Sequence, residues 1–273
     1  MPSSSLPERL TSKGEAIMRS IMGPSFGTLV RNVRKRAGWT QGECCLLLEL
    51  SDINSLSDIE RDERLPEGPL RMKVMKRLGF TREEQGWAHL ICGEMPTEEE
   101  ITRWTQALSE HIQIEVPALI TDFVWNILDA NKPARDFFHL QPAELAERPN
   151  MLELVVDPKS GFCRYLRGVG CWEQFLRERI FQFKLEQFIH LGRGTGDTCL
   201  HDLICRLFRH DEFVDAWLKL DEVAVRVMHR SRPLLGWNPM NLPAGSYQVL
   251  IDTVIDDQRF RREIIVPWGQ RRD

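Results

Sequence analysis

His201 and Cys205 stand four residues apart in a stretch with helical apolar spacing, with Cys199 and His210 close by. A helix places residues four apart on one face, so two metal ligands there would converge. Zinc sites, however, draw four ligands from paired spacings, and the seven cysteines contain the adjacent pair Cys44 and Cys45 but no Cys-x-x-Cys. These side chains therefore read as core or surface, and no metal site is expected. Catalytic signatures fare no better: there is no nucleophile elbow, no phosphate-cradling glycine loop and no His-Glu-x-x-His. The Gly-x-Gly-x-Gly at 192–196 follows a helical pattern rather than a strand and reads as a loop. No catalytic residue is assigned, and an enzyme is not expected.

Basic and amide side chains near the start of the chain form the second constellation. Phe26, Leu29, Val30 and Val33 repeat at helical spacing, Gly38 supplies a stop, and Arg31, Arg34, Lys35 and Arg36 occupy the outer face. Thr40 with Glu43 has capping-box spacing for a second helix through Leu48. Asp52 can cap a third, with Leu56 and Ile59 turned inward and Asp62 and Pro66 marking its end. A fourth opens near Pro69 and stops at Gly79, and a fifth starts on the Thr81–Glu84 box and carries Trp87, Leu90 and Ile91. This predicts a five-helix module over 23–92, after a polar tail at 1–22. Thr97 and Glu100 then start a helix with Trp104, Leu108 and Ile112 that reads as a connector over 93–116.

From Pro117 the pattern changes. Residues 118–122 and 125–129 read as a hairpin, and Asn131 caps a helix holding Phe137 and Phe138. One long helix is expected over 162–189, with Tyr165, Val169, Trp172, Leu176, Ile180 and Phe183 on one stripe and Phe175, Phe181 and Phe188 widening it. Leu200, Leu203, Ile204 and Leu207 predict another helix, with Phe213 and Trp217 continuing the buried face. Tyr247, Val249, Ile251, Thr253 and Ile255 alternate and 260–266 returns, so two late strands should join the hairpin in one antiparallel sheet. The fold class expected is α+β: an all-α module followed by a sheet domain with several long helices.

The net charge of −4 repels phosphate, so a nucleic-acid partner would need a local basic surface. Residues 1–10 lack the apolar core of a signal peptide, no segment is apolar enough to span a bilayer, and scattered cysteines suit a reducing compartment, so a cytoplasmic protein is expected.

Around 38–66 the sequence resembles the XRE (Cro/C1-type repressor) helix-turn-helix family, through Arg34, Gly38, Thr40, Gln41, Leu56, Ser57, Ile59, Glu60, Arg61, Arg64 and Pro66. The resemblance implies that the Thr40–Gln41 helix crosses the DNA backbone and that the next helix lies in the major groove. Gln41 would then contact phosphate, while Ile53, Asn54 and Asp58 face bases, Asn54 being suited to adenine. Arg31, Arg34, Lys35, Thr40, Ser55 and Arg61 complete the candidate DNA-binding set. Glu49 and Asp62 stand where the family places Gly, and Asp52, Asp58, Glu60, Asp62 and Glu63 make this region acidic. That acidity keeps open a helix-turn-helix acting through protein contacts. A homodimer is implied, as usual for this motif.

The second half is similar to the MmyB-like ligand-binding domain, a PAS-type module of bacterial regulators. The similarity rests on Pro117-Ala118-Leu119, Trp125-Asn126-Ile127-Leu128, Asn131-x-x-Ala134, Asn150-Met151-Leu152, Trp172-Glu173 and Phe213-x-x-x-Trp217, with Pro233-Leu234-Leu235-Gly236 as a partial later segment. It implies a cavity between sheet and helices for a small apolar, fatty-acid-like ligand. The candidate lining is Ile127, Phe138, Trp172, Leu176, Ile180, Phe183, Phe213 and Trp217, and Arg164, Arg167, Arg177 and Arg179 are all available to a carboxylate head. No cofactor is required. Haem or flavin, as in other PAS-type folds, would look to His190 or Cys171, and no attachment motif supports either.

Overall fold

The computed structural model describes residues 25–187, 198–230, 239–242 and 245–268. The expectations placed on 1–22, His190, the loop at 192–196 and the segment 233–236 lie outside the described residues. The chain forms two compact units, the first holding residues up to Ala88 and the second most of the remainder.

In the first unit, α1 (Phe26–Arg36), α2 (Gln41–Leu48), α3 (Ile53–Glu60) and α4 (Gly68–Leu78) follow one another, and α5 (Arg82–Ile91) leads into the second unit. Local chemistry sets these ends. Thr40 and Glu43 close the capping box on α2, Asp52 Oδ1 accepts from Ser55 N at 2.9 Å to start α3, and Gly79 ends α4 at φ 71°. Phe26, Val30, Leu48, Leu56, Ile59 and Val74 are buried, each worth about 1.5–3 kcal/mol on folding. Gly27 lets α1 approach α3 closely, since a Cβ there would lie 2.2 Å from the Ile59 carbonyl oxygen.

The second unit begins with α6 (Glu98–Ser109), started by the Thr97–Glu100 box, and a 3-10 turn (Glu110–Ile112). Strands β1 (Ala118–Asp122) and β2 (Ile127–Ala130) precede the short helices α7 (Lys132–Phe137), α8 (Pro142–Ala146) and α9 (Met151–Val156). Next come α10 (Gly161–Gly168), α11 (Trp172–Glu186), α12 (Thr198–Leu207) and α13 (Asp211–Arg230), and then β3 (Pro239–Leu242), β4 (Gly245–Thr253) and β5 (Phe260–Trp268). The strands form one antiparallel sheet in the order β2-β1-β5-β4-β3, so the late strands do join the early hairpin, with Leu119 opposite Glu263.

Strand alternation divides the core between the two faces of the sheet. Ala118, Ile120, Leu128 and Phe260 pack with Ile101, Trp104 and Leu108 of α6. The segment read as a connector thus lies within the second unit and covers one face of its sheet. Leu119, Ile127, Val249 and Ile265 meet the helices on the other face.

The single helix expected over 162–189 is two. Gly170 takes φ 73° after α10, and Cys171 N returns to the Leu166 carbonyl at 3.1 Å, a glycine-based stop that a continuous apolar stripe conceals.

Candidate functional site

Two places in the fold carry the candidate residues, one in each unit. In the first, the outer face of α3 exposes Ile53 (47% accessible) and Asn54, with Asp58 half-buried beside an exposed Arg61. The opposite face is anchored by Glu60, 3% accessible, which receives Arg34 twice and Gln41 Nε2 at 3.0 Å, while Arg31 Nη2 donates to its backbone carbonyl. Burial alone would raise the Glu60 pKa, and the hydrogen bonds from Arg34 and Gln41 overcome it and hold it low.

This arrangement corrects the role read for Arg34. Its side chain is 12% accessible and spends its guanidinium on Glu60 and the Trp39 carbonyl, so it braces α1 against α3 rather than facing a phosphate. Gln41 is half-buried and shares that anchor, whereas Lys35 and Thr40 are exposed, and Ser55 is half-buried at the capped start of α3.

The two positions at which the helix-turn-helix resemblance leads one to expect glycine are filled by acids with left-handed backbone, each held by its side chain. Glu49 has φ 54° and binds Lys73 at 2.6 Å and Arg77 at 2.7 Å. Asp62 has φ 60°, and its carboxylate caps α1, accepting from Gly27 N at 2.8 Å and from Ser25. The acidity around α3 is likewise engaged: Asp52 caps its own helix, and Asp58 and Glu63 both hold Arg61.

In the second unit, a narrow cavity lies between β4, β5 and α11, lined by Trp125, Phe138, Met151, Phe175, Arg179, Gln182, Ile251, Glu263 and Ile265. It has room for about one water molecule. Of the eight side chains read as lining, only Phe138 borders it. Ile127, Leu176, Ile180, Phe183 and Phe213 are buried core, Trp172 is pinned through Nε1 to the Val155 carbonyl at 2.7 Å, and Trp217 packs beside Phe213 under the Lys184 ammonium. On α11 the stripe Phe175, Arg179 and Gln182 borders the cavity, and the neighbouring stripe Trp172, Leu176, Ile180 and Phe183 is buried core, the Phe183 ring 5.3 Å from that of Trp125.

The cavity is also more polar than the sequence reading allowed. Among the four arginines considered, Arg164 reaches the Lys159 carbonyl, Arg167 pairs with Glu212 and Arg177 with Glu173, while Arg179 is buried at the cavity wall. Arg261 and Glu263 project to the same side of β5, and Arg261 Nη1 binds Glu186 at 2.6 Å. Glu186 also accepts from Trp125 Nε1 at 2.7 Å and Gln182 Nε2 at 2.9 Å. Thr121 Oγ1 donates to Glu263 Oε1 at 2.8 Å. Burial raises the Glu263 pKa against the opposing pull of Arg261. The available signal was the polar side chains Arg179, Gln182 and Glu186 inside an aromatic helix, together with the alternating charges Arg261 and Glu263.

Asp122 organises the turn that presents Trp125. Its carboxylate accepts from Val124 N at 3.0 Å, Asn126 N at 2.8 Å and Asn126 Nδ2 at 2.7 Å, and Trp125 adopts φ 73°. Burial pushes the Asp122 pKa up to about 6, despite those hydrogen bonds and Arg261.

Among the described residues no group of three His, Cys, Asp or Glu side chains could hold a metal ion; Cys205 Sγ lies 3.4 Å from His201 Nε2 on the exposed face of α12. No described helix is long and apolar enough to cross a membrane.

A sheet covered by helices on both faces, with a narrow cavity on the α11 side, defines the second unit as an α+β domain. The chain belongs to the family of MmyB-like transcription regulator ligand binding domains, which matches residues 104–243, just over half its length. Strands β4 and β5 lie beyond the matched segment, yet supply Ile251, Glu263 and Ile265 to the cavity. No curated protein matches the chain.

Proposed function

We propose that this chain is a cytoplasmic one-component transcription regulator, in which an XRE-type helix-turn-helix binds double-stranded DNA and a PAS-like domain binds a small, fatty-acid-like ligand that modulates the binding. The single observation that carries this reading is the membership of the second unit in a regulator ligand-binding family, on a chain whose first unit presents the free face of a short capped helix. Ile53, Asn54 and Asp58 on that face, with Arg61 just after it, are side chains suited to base edges, and the exposed Lys35 and Thr40 are of types that bind phosphates. Two copies in a homodimer would address two half-sites. Selection of genomic fragments by the purified chain tests the DNA half: the reading expects a sequence motif with half-site symmetry and affinity that falls steeply with salt. Absent or salt-independent binding overturns it.

One observation favours the alternative of a helix-turn-helix acting through protein contacts. Leu46 on α2 is 80% accessible and Met72 on α4 is 52% accessible, apolar surface that a DNA-only unit does not require. Under that alternative the same selection recovers no motif.

A further inference from the structure

Asp122, at the end of β1, is a carboxylate only 1% exposed, and among the described residues no cation forms an ion pair with it. Its hydrogen bonds come from uncharged donors: Oδ1 accepts from Val124 N at 3.0 Å and Asn126 N at 2.8 Å, and Oδ2 from Asn126 Nδ2 at 2.7 Å. The charged groups around it come from β5 and α11. Arg261 of β5 gives Nη2 to the main-chain carbonyls of Asp122 and Phe123 and Nη1 to Glu186 of α11, and Glu263 faces Arg261 along the same strand. From the turn and from the start of α9 the neighbours are Asn126 and Asn150, both uncharged. A buried anion without an ion pair carries a desolvation cost that proton uptake removes.

The donors decide where that proton goes. Oδ1 is occupied by two backbone N–H groups, which leaves Oδ2, whose one hydrogen-bond partner among the described residues is the Asn126 amide. A carboxyl O–H there meets a donor with a donor, and reversing the Asn126 amide, so that its Oδ1 turns to the carboxyl, restores the bond. The same reversal sets the Asn126 NH2 against Asn150 Nδ2, which donates to Asn126 Oδ1 at 3.1 Å in the unreversed state, and so breaks that second bond. Asn150 Nδ2 also donates to the Val124 carbonyl at 2.7 Å, and Asn150 Oδ1 caps α9 by accepting from Leu152 N at 3.0 Å. Next to it Met151 N donates to the Trp125 carbonyl at 2.9 Å, and Trp125 and Met151 both line the cavity. Two amides therefore connect the buried carboxyl to the cavity wall.

We propose that Asp122, Asn126 and Asn150 form a proton-operated switch, in which proton uptake at Asp122 Oδ2 reverses the Asn126 amide, releases Asn150 and shifts Trp125 and Met151 at the cavity wall. One proton enters from water, one O–H bond forms and one negative charge is lost. The ligand of this site is the proton, and the switch operates whether or not the cavity takes a fatty acid or the first unit binds DNA.

The test is NMR of the full chain with isotope-labelled methionine methyls and backbone amides, titrated between about pH 4 and pH 8. The Val124 amide, which touches Oδ1 directly, should titrate near pH 6, where burial places the Asp122 proton. The Met151 methyl, assigned through Met151→Leu, should move with the same midpoint. In Asp122→Asn, whose side chain is uncharged at every pH, both signals should stay flat. In Asn126→Ala, which keeps both backbone bonds to Oδ1, the Val124 amide should still titrate while the Met151 methyl loses most of its shift. In the wild-type chain alone, a Val124 amide that does not titrate, or a Met151 methyl that stays still while Val124 titrates, overturns the switch. A Met151 shift that survives undiminished in either variant overturns it as well, by assigning the response to another group such as Glu263.

Discussion

Arg34 and Glu60 bind each other through two parallel hydrogen bonds, Nη2 to Oε2 at 3.0 Å and Nε to Oε1 at 2.5 Å, and so tie α1 to α3 from the inside. Because Glu60 is buried and Arg34 nearly so, removing one partner strands the other. Arg34→Ala or Glu60→Ala should each cost about 3–5 kcal/mol, and an Arg34→Met with Glu60→Leu double variant should cost less than either single change. Urea unfolding of the first unit measures this. Single-variant costs near zero would contradict the bracing role.

Exposure on α3 separates readout from anchoring. Asn54→Ala should relax base preference at one position of the selected motif by about 1–3 kcal/mol, while Lys35→Ala should weaken all sequences alike and lower the salt slope by about one. Binding profiles of the two variants across a mutated operator set check this. If Asn54→Ala weakens every sequence equally, α3 does not read bases as placed.

Core and cavity faces of α11 should respond differently. Ile180→Ala empties a fully buried site and should cost about 2–5 kcal/mol without changing the affinity for decanoic acid. Denaturation and ligand titration of the same variant provide both readouts, and a changed affinity would place Ile180 at the ligand site after all.

Asp122 gives the second unit an acid-side stability term. Its folded pKa, about 6, lies above the unfolded value near 3.9, so between these values the folded chain holds a proton that the unfolded chain has released. The stabilisation is complete below the unfolded pKa and is lost as pH rises through about 6, amounting to up to roughly 3 kcal/mol. Burial shifts Glu263 the same way, so Asp122→Asn should reduce the slope without abolishing it. Denaturant midpoints between pH 4 and pH 7 report it, and a flat wild-type profile would rule it out.

The parts of this fold that were legible in the sequence are those fixed by neighbours in the chain. Thr40 with Glu43, Thr97 with Glu100, Asp52 and Asn131 all cap the helices their spacing predicts, because a cap needs only its own first turn. The break between α10 and α11 was hidden because the apolar stripe runs across it, although Gly170 carried the signal. The cavity's polar end was not legible in this way. Glu263 reaches it only through the register that sets it opposite Leu119 and Ile251, and no local pattern encodes that pairing. Arg34 misled for a related reason: its basic type suggests phosphate, and only the packing of α3 shows that Glu60 claims it.

The central claim is that ligand occupancy in the second unit changes DNA affinity in the first, and titrating the full chain against its selected operator, with and without saturating decanoic acid, measures that coupling directly. The account predicts a shift in operator Kd of about 5- to 150-fold, in either direction. An operator Kd that stays the same while the ligand demonstrably fills the cavity would contradict it.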